Sequence, residues 1–152
     1  MSPRPRTSVY RLPDAEKRNP HSVYRIFDAQ DRVIYIGCAE DVEARIYNHL
    51  AIFSQMPGAD LIMRGYARHD SVEYPNKTTA RHAERAAIAA EAPWLNRHHN
   101  PTRWRRDGQY GRYVPVDVEG YVAFALSVLG PRPERDGYLA HDDYLGLLAA
   151  SP

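Results

Sequence analysis

Two short runs rich in β-branched and aromatic residues, Val23 to Phe27 and Arg32 to Ile36, flank the polar turn Asp28-Ala29-Gln30-Asp31. No other stretch constrains the fold as much, because runs of this length around a tight polar turn read as an antiparallel hairpin. If Phe27 pairs with Arg32, Tyr24 pairs with Tyr35, and the two phenols project side by side with Cβ atoms roughly 5 Å apart. A one-residue slip would send them to opposite faces. Taken alone, the pair also fits two ordinary half-buried strand tyrosines. Gly37 is expected to end the second strand.

Glu40-Asp41 then supplies a helix start in which carboxylates complement the positive end of the dipole. The helix is expected from about Asp41 to Ile52, with Val42, Ile46 and Phe53 as its apolar stripe. Arg45 and His49, four apart, lie on or beside that stripe instead of facing solvent. Arg45 either snorkels to a nearby carboxylate or projects over the tyrosine face, where its planar fork suits a phosphate oxygen. A second helix is expected to start with Thr78 or Thr79 as N-cap and to stop before Pro93. Glu84 sits in its stripe of Ala80, Ala83, Ala87 and Ile88, where a carboxylate is costly unless paired or bound to a cation. A structural ion pair would satisfy it. So would Mg²⁺, which keeps several waters and often takes only one or two protein carboxylates plus substrate phosphates.

With these residues in view, the chain resembles the GIY-YIG nuclease superfamily over about residues 21–101. The second signature stands intact as Tyr35-Ile36-Gly37, and Ser22-Val23-Tyr24 occupies the place of Gly-Ile-Tyr. The family arginine corresponds to Arg45, its frequent helical histidine to His49 and its metal-binding glutamate to Glu84. Its late asparagine corresponds to Asn96 in Pro93-Trp94-Leu95-Asn96. The resemblance implies divalent-metal-dependent phosphodiester hydrolysis with Mg²⁺, or Mn²⁺, on Glu84. It implies Tyr24 as general base or proton relay, Tyr35 as its assistant, and Arg45 as stabiliser of phosphoryl charge. His49 would position water or move protons, and Asn96 would brace the site through hydrogen bonds. The alternative is a catalytically silent nucleic-acid-binding module or protein-interaction scaffold on the same fold.

Composition permits this. A chain of 152 residues, 43% hydrophobic and 26% charged, can bury one modest core, so one domain with extensions is expected. There is neither an apolar run of membrane-spanning length nor a signal core, and a soluble, cytoplasmic protein is expected. Cys38 is the single cysteine, which excludes an intrachain disulfide and a multi-cysteine zinc site.

Net charge is only +1, but the signs are segregated. Residues 97–112 hold Arg97, Arg103, Arg105, Arg106 and Arg112 against Asp107, with Trp104 and Tyr110 interleaved. Arginines among aromatics suit phosphate contact and base stacking, so Arg97, Arg103, Trp104, Arg105, Arg106 and Arg112 are the expected nucleic-acid contacts, with DNA the expected partner. Charged surface turns with tryptophan also occur in proteins that bind nothing. Residues 1–20, with four prolines and five basic residues, read as a mobile arm that tracks a backbone or stays disordered. Beyond Pro115 the balance turns acidic, with a helix expected over Val118 to Leu129, a connector over Gly130 to Gly137 and a short helix over Asp142 to Ala150. This tail could pack on the module, form a homodimer or hold a protein partner. His98-His99 could suggest a metal pair, but adjacent side chains in an extended segment point apart.

The expected fold is a small α/β (α+β) module. A central antiparallel three-stranded sheet, its third strand near Val72 to Tyr74, is flanked by helices and followed by a helical C-terminal extension across residues 102–152.

Overall fold

The computed structural model describes residues 19–50 and 59–129. The proposed arm up to residue 18, Ile52, Phe53, the 130–137 connector and the 142–150 helix lie outside the described residues. The fold is mixed α and β. Strands β1 (His21–Phe27), β2 (Val33–Ala39) and β3 (Arg68–Tyr74) form an antiparallel sheet in the order β2-β1-β3. Helix α1 spans Val42–Leu50, α2 Ala59–Gly65, α3 Lys77–Glu91 and α4 Val118–Leu129. A two-stranded ribbon joins β4 (Trp104–Arg106) to β5 (Tyr113–Pro115).

The hairpin forms, but in a different register from the one expected. Tyr24 faces Gly37, Ile26 faces Tyr35, and Phe27 faces Val33, with a bulge between Ile26 and Phe27. Two local causes each add one residue to the β2 side. Asp28 Oδ1 accepts from the backbone N–H of Gln30 (3.0 Å) and Arg32 (2.9 Å), and Arg32 Nε donates to Oδ2 (2.8 Å), so Arg32 belongs to the turn. The bulge supplies the second extra residue. Because side chains alternate with a period of two, this double shift leaves Tyr24 and Tyr35 on the same face, as diagonal neighbours. Gly37 does not end β2, which continues to Ala39.

One face of the sheet packs Val23 and Ile36 against Ala80 and Ile88 of α3. The other buries Tyr24, Ile26 and Ile34 with Ile46 of α1, Leu61 and Ile62 of α2, and Tyr121, Phe124 and Ala125 of α4. The start of the C-terminal stretch therefore shares the main core with the hairpin. Asn76, not Thr78 or Thr79, caps α3: its side-chain oxygen accepts the N–H of Thr79 at 2.8 Å, which places both threonines inside the first turn. Helix α2 and the β4–β5 ribbon were not expected from the sequence, and β3 begins well before Val72.

The outer edge of β2 meets a polar loop instead of a fourth strand. Leu95 N–H donates to Ile34 C=O at 3.1 Å, and the Asn96 side chain both accepts from Ile36 N–H and donates to Ile36 C=O, each at 2.8 Å. The buried Asn100 amide in turn donates to Pro93 C=O (2.7 Å) and Asn96 C=O (2.9 Å). Replacing Asn96 by Ala strips both backbone groups of Ile36 of partners in a dry environment, and should cost about 2–4 kcal/mol. Urea denaturation of the Asn96→Ala protein tests this, and an unchanged midpoint would show that the edge does not need the brace.

Candidate active site

Gly37 determines where Tyr24 goes. A Cβ at position 37 would overlap the end of the Tyr24 ring, falling 2.8 Å from Cε1 and closer still to Cζ and Oη. The missing side chain is the seat over which the ring lies, and this carries the hydroxyl across β2 towards α1. There Tyr24 Oη and His49 Nε2 share a 2.7 Å hydrogen bond. Tyr24 is 1% exposed and His49 3%. Tyr35 completes an aromatic cluster, its ring centroid 6.2 Å from that of Tyr24 and 5.1 Å, near-perpendicular, from that of His49.

Arg45 stands one turn before His49 on α1, and its charge acts on the Tyr24 phenol. His49 is buried as its place beside the apolar stripe predicts, but Arg45 faces solvent instead of the core, and it makes no ion pair within 4 Å among the described residues, so pairing with a carboxylate is not observed. Glu84 approaches from α3, and its charge acts on Tyr24, Tyr35 and Arg45. It too lacks an ion pair among the described residues. Asn96 sits at the free edge of β2 as a brace, its side chain engaged with the backbone of Ile36.

Burial dominates the titration of the cluster. Desolvation, then the neighbouring Tyr35, holds the Tyr24 phenol well above its ordinary value, against the opposing pull of Arg45. Tyr35 is raised by burial and by Glu84. His49 is pushed down to about 4 by burial and by the Arg45 charge, so its ring is neutral at pH 7. Burial raises the Glu84 carboxyl, while Arg81, Arg85 and Arg45 oppose the shift.

This donor set suits one kind of metal. Among the described residues no group of three or more His, Cys, Asp or Glu converges, which removes any dedicated all-protein cage there. A half-buried carboxylate with no ion-pair partner among the described residues, whose charge acts on an exposed guanidinium and two phenols, fits Mg²⁺ completed by water and phosphate oxygens. Glu84 is the residue that would hold it.

The 97–112 stretch divides. Trp104 does not offer a stacking face: it is 4% exposed, lies in the main core and donates its indole N–H to Trp94 C=O at 2.9 Å. A residue that starts β4 with its ring turned inward cannot also take a base. Arg103 Nε donates to Ala92 C=O at the end of α3 and its guanidinium stacks 3.9 Å from the Trp94 ring, and Arg97 lies over Trp104 at 4.8 Å. These two are partly buried packing cations, whereas Arg105, Arg106 and Arg112 are exposed. His98 bonds to Tyr113 (2.9 Å), and His69 joins Tyr66 (2.6 Å) to Glu43 (3.0 Å). Sequence reading passed over the structural role of Asn100, which nothing distinguishes among the polar residues 96–103, and over Gly37 as the seat of Tyr24.

No family model matches the sequence, and no curated protein is significantly similar to it. No helix among the described residues is long and apolar enough to cross a membrane.

Two outcomes are expected. His49 titrates near 4 when folded but near 6.5 when unfolded, so the unfolded chain binds the extra proton first as pH falls. Its contribution is intact above about 6.5 and is lost between there and about 4, on the order of 3 kcal/mol. Urea midpoints from pH 7.5 to 4 should fall, and fall less in His49→Gln; parallel profiles would sink the assignment. Gly37→Ala should displace the Tyr24 ring and break its bond to His49, read as a rise of the His49 pKa by ring-proton NMR titration, whereas an unmoved titration would mean the ring has other room.

Proposed function

We propose that this protein is a GIY-YIG-type endonuclease, dependent on a divalent metal and hydrolysing phosphodiester bonds in DNA. One observation carries the reading: Tyr24, Tyr35 and His49, from two strands and a helix, meet in one cluster with Tyr24 Oη bonded to His49 Nε2 at 2.7 Å, and both phenols feel the charges of Arg45 on that helix and of Glu84 on α3. Packing alone does not require two phenols, an unpaired guanidinium, a neutral imidazole and an unpaired carboxylate to converge.

The raised phenol values give Tyr24 the role of a neutral proton relay, in place of a standing phenolate base. As water attacks phosphorus it gives a proton to Tyr24 Oη, while the Tyr24 proton passes along the 2.7 Å bond to the neutral His49 Nε2. The new P–O bond forms as the ester oxygen departs and takes a proton from solvent. Arg45 holds a non-bridging oxygen through its planar fork and stabilises the charge that develops there. Tyr35 keeps the Tyr24 ring in place, and Asn96 fixes the strand that carries Tyr35 and Gly37. Glu84 would hold Mg²⁺ or Mn²⁺, which would supply Lewis-acid stabilisation of the phosphoryl oxygens.

Cleavage of supercoiled plasmid and branched DNA with Mg²⁺ or Mn²⁺ tests the proposal. Glu84→Ala should abolish cutting, Arg45→Ala should reduce it by about 10² to 10³, and Tyr24→Phe, which removes the relay oxygen, by roughly 10² to 10⁴. Absence of cutting with either metal while DNA binding persists would overturn the enzyme and leave a silent binding module.

A further inference from the structure

The charges on α3 run against its own stability. Lys77, Arg81 and Arg85 recur every four residues, so they form one stripe of like charges, and all three are exposed. The first turn contains no acid, although Lys77 stands at the end where the helix dipole disfavours a cation. The acid Glu91 instead sits at the C-terminal end, bonded to Arg25 at 2.6 Å. None of the three stripe cations has an ion-pair partner within 4 Å among the described residues. Such a helix gains from an external polyanion.

The stripe borders the candidate site. Arg81 and Arg85 bracket Glu84 in sequence, and both charges act on its carboxylate. Lys77 and Arg81 form one wall of an open cleft of about 310 Å³, and Arg45 and Asn48 of α1 form the other. Two acids also line that cleft. Asp41 is committed to capping α1, its Oδ1 accepting the Ala44 N–H at 3.0 Å, and Glu40 is exposed. At the other end of the stripe the exposed His99 lies within range of the Arg85 charge. The rise along a helix from i to i+4 is about 6 Å, comparable to the separation of successive phosphates on an extended strand.

We propose that Lys77, Arg81 and Arg85 form a phosphate-backbone track that holds one nucleic-acid strand along α3, with the cleft beside Arg45 taking a phosphate next to the scissile one. The inference rests on the nuclease reading for the place of the scissile phosphate, but the track itself is a binding surface that can be measured without turnover. It is carried by a different element from Arg105, Arg106 and Arg112, the exposed arginines of the β4–β5 region.

The test is fluorescence anisotropy of the full chain in EDTA with labelled single-stranded DNA, duplex DNA and matched RNA at a series of salt concentrations. The variants are Lys77→Ala/Arg85→Ala and, as comparison, Arg105→Ala/Arg106→Ala. Removal of two phosphate contacts should lower the slope of log affinity against log salt by about 1.4 on a single strand or about 1.8 on a duplex. At moderate salt the affinity should fall at least about tenfold. A reduced slope on either polymer supports the track, and the polymer bound more tightly by the unmodified chain identifies the source of the backbone. A slope unchanged in Lys77→Ala/Arg85→Ala overturns it, all the more if the Arg105→Ala/Arg106→Ala protein loses affinity instead. Plasmid cutting by the unmodified protein is scored separately, so cutting with an unchanged slope sinks the track alone. No cutting with a reduced slope sinks the nuclease reading alone. Thermal melting should show the double variant to be at least as stable as the parent, since it loses like-charge repulsion.

Discussion

Strand β2 has a single neighbour in the sheet, and on its free side the carboxamide of Asn96 supplies the donor and acceptor that another strand would have supplied. An open edge is both a hydrogen-bonding debt and an invitation to mispairing. Closing it with the side chain of Asn96, whose backbone carbonyl accepts from the Asn100 amide, keeps β2 an edge strand. That matters for the site, because β2 carries Tyr35 and Gly37, and Gly37 in turn positions Tyr24.

Burial then does the electrostatic work. The same desolvation that drives both phenols and the Glu84 carboxyl upward drives the His49 imidazole downward, so every one of these groups is pushed towards its neutral form. Arg45 and the neighbouring cations on α3 oppose that shift at the Glu84 carboxylate. A site of that kind favours anions and leaves room for a cation beside the one carboxylate, consistent with phosphodiester chemistry.

Much of the local structure was legible. The turn Asp28 to Asp31 marked the hairpin, α4 spans the residues its apolar pattern marked out, and the four-residue spacing of Arg45 and His49 placed them together on one face. The register was not legible, because it depends on Asp28 drawing Arg32 into the turn and on one bulge, neither of which the alternation of side chains encodes. Trp104 was misread for a related reason. Its arginine neighbours made it look like a stacking platform, but whether a ring at that position turns in or out is decided by the ribbon on which it sits.

The sequence by itself determined which chemistry was available: two phenols, an arginine, a histidine and a carboxylate at spacings that suit strand and helix, with the mixed α and β class that follows from those periodicities. Tertiary structure alone decided that these groups meet. Tyr24 reaches His49 only because its ring crosses a glycine on the neighbouring strand, and Glu84 acts on both tyrosines only because α3 packs against the sheet that carries them. Such contacts join residues far apart in the chain, and their geometry is set by how packed layers fit together, which no local pattern of residues contains.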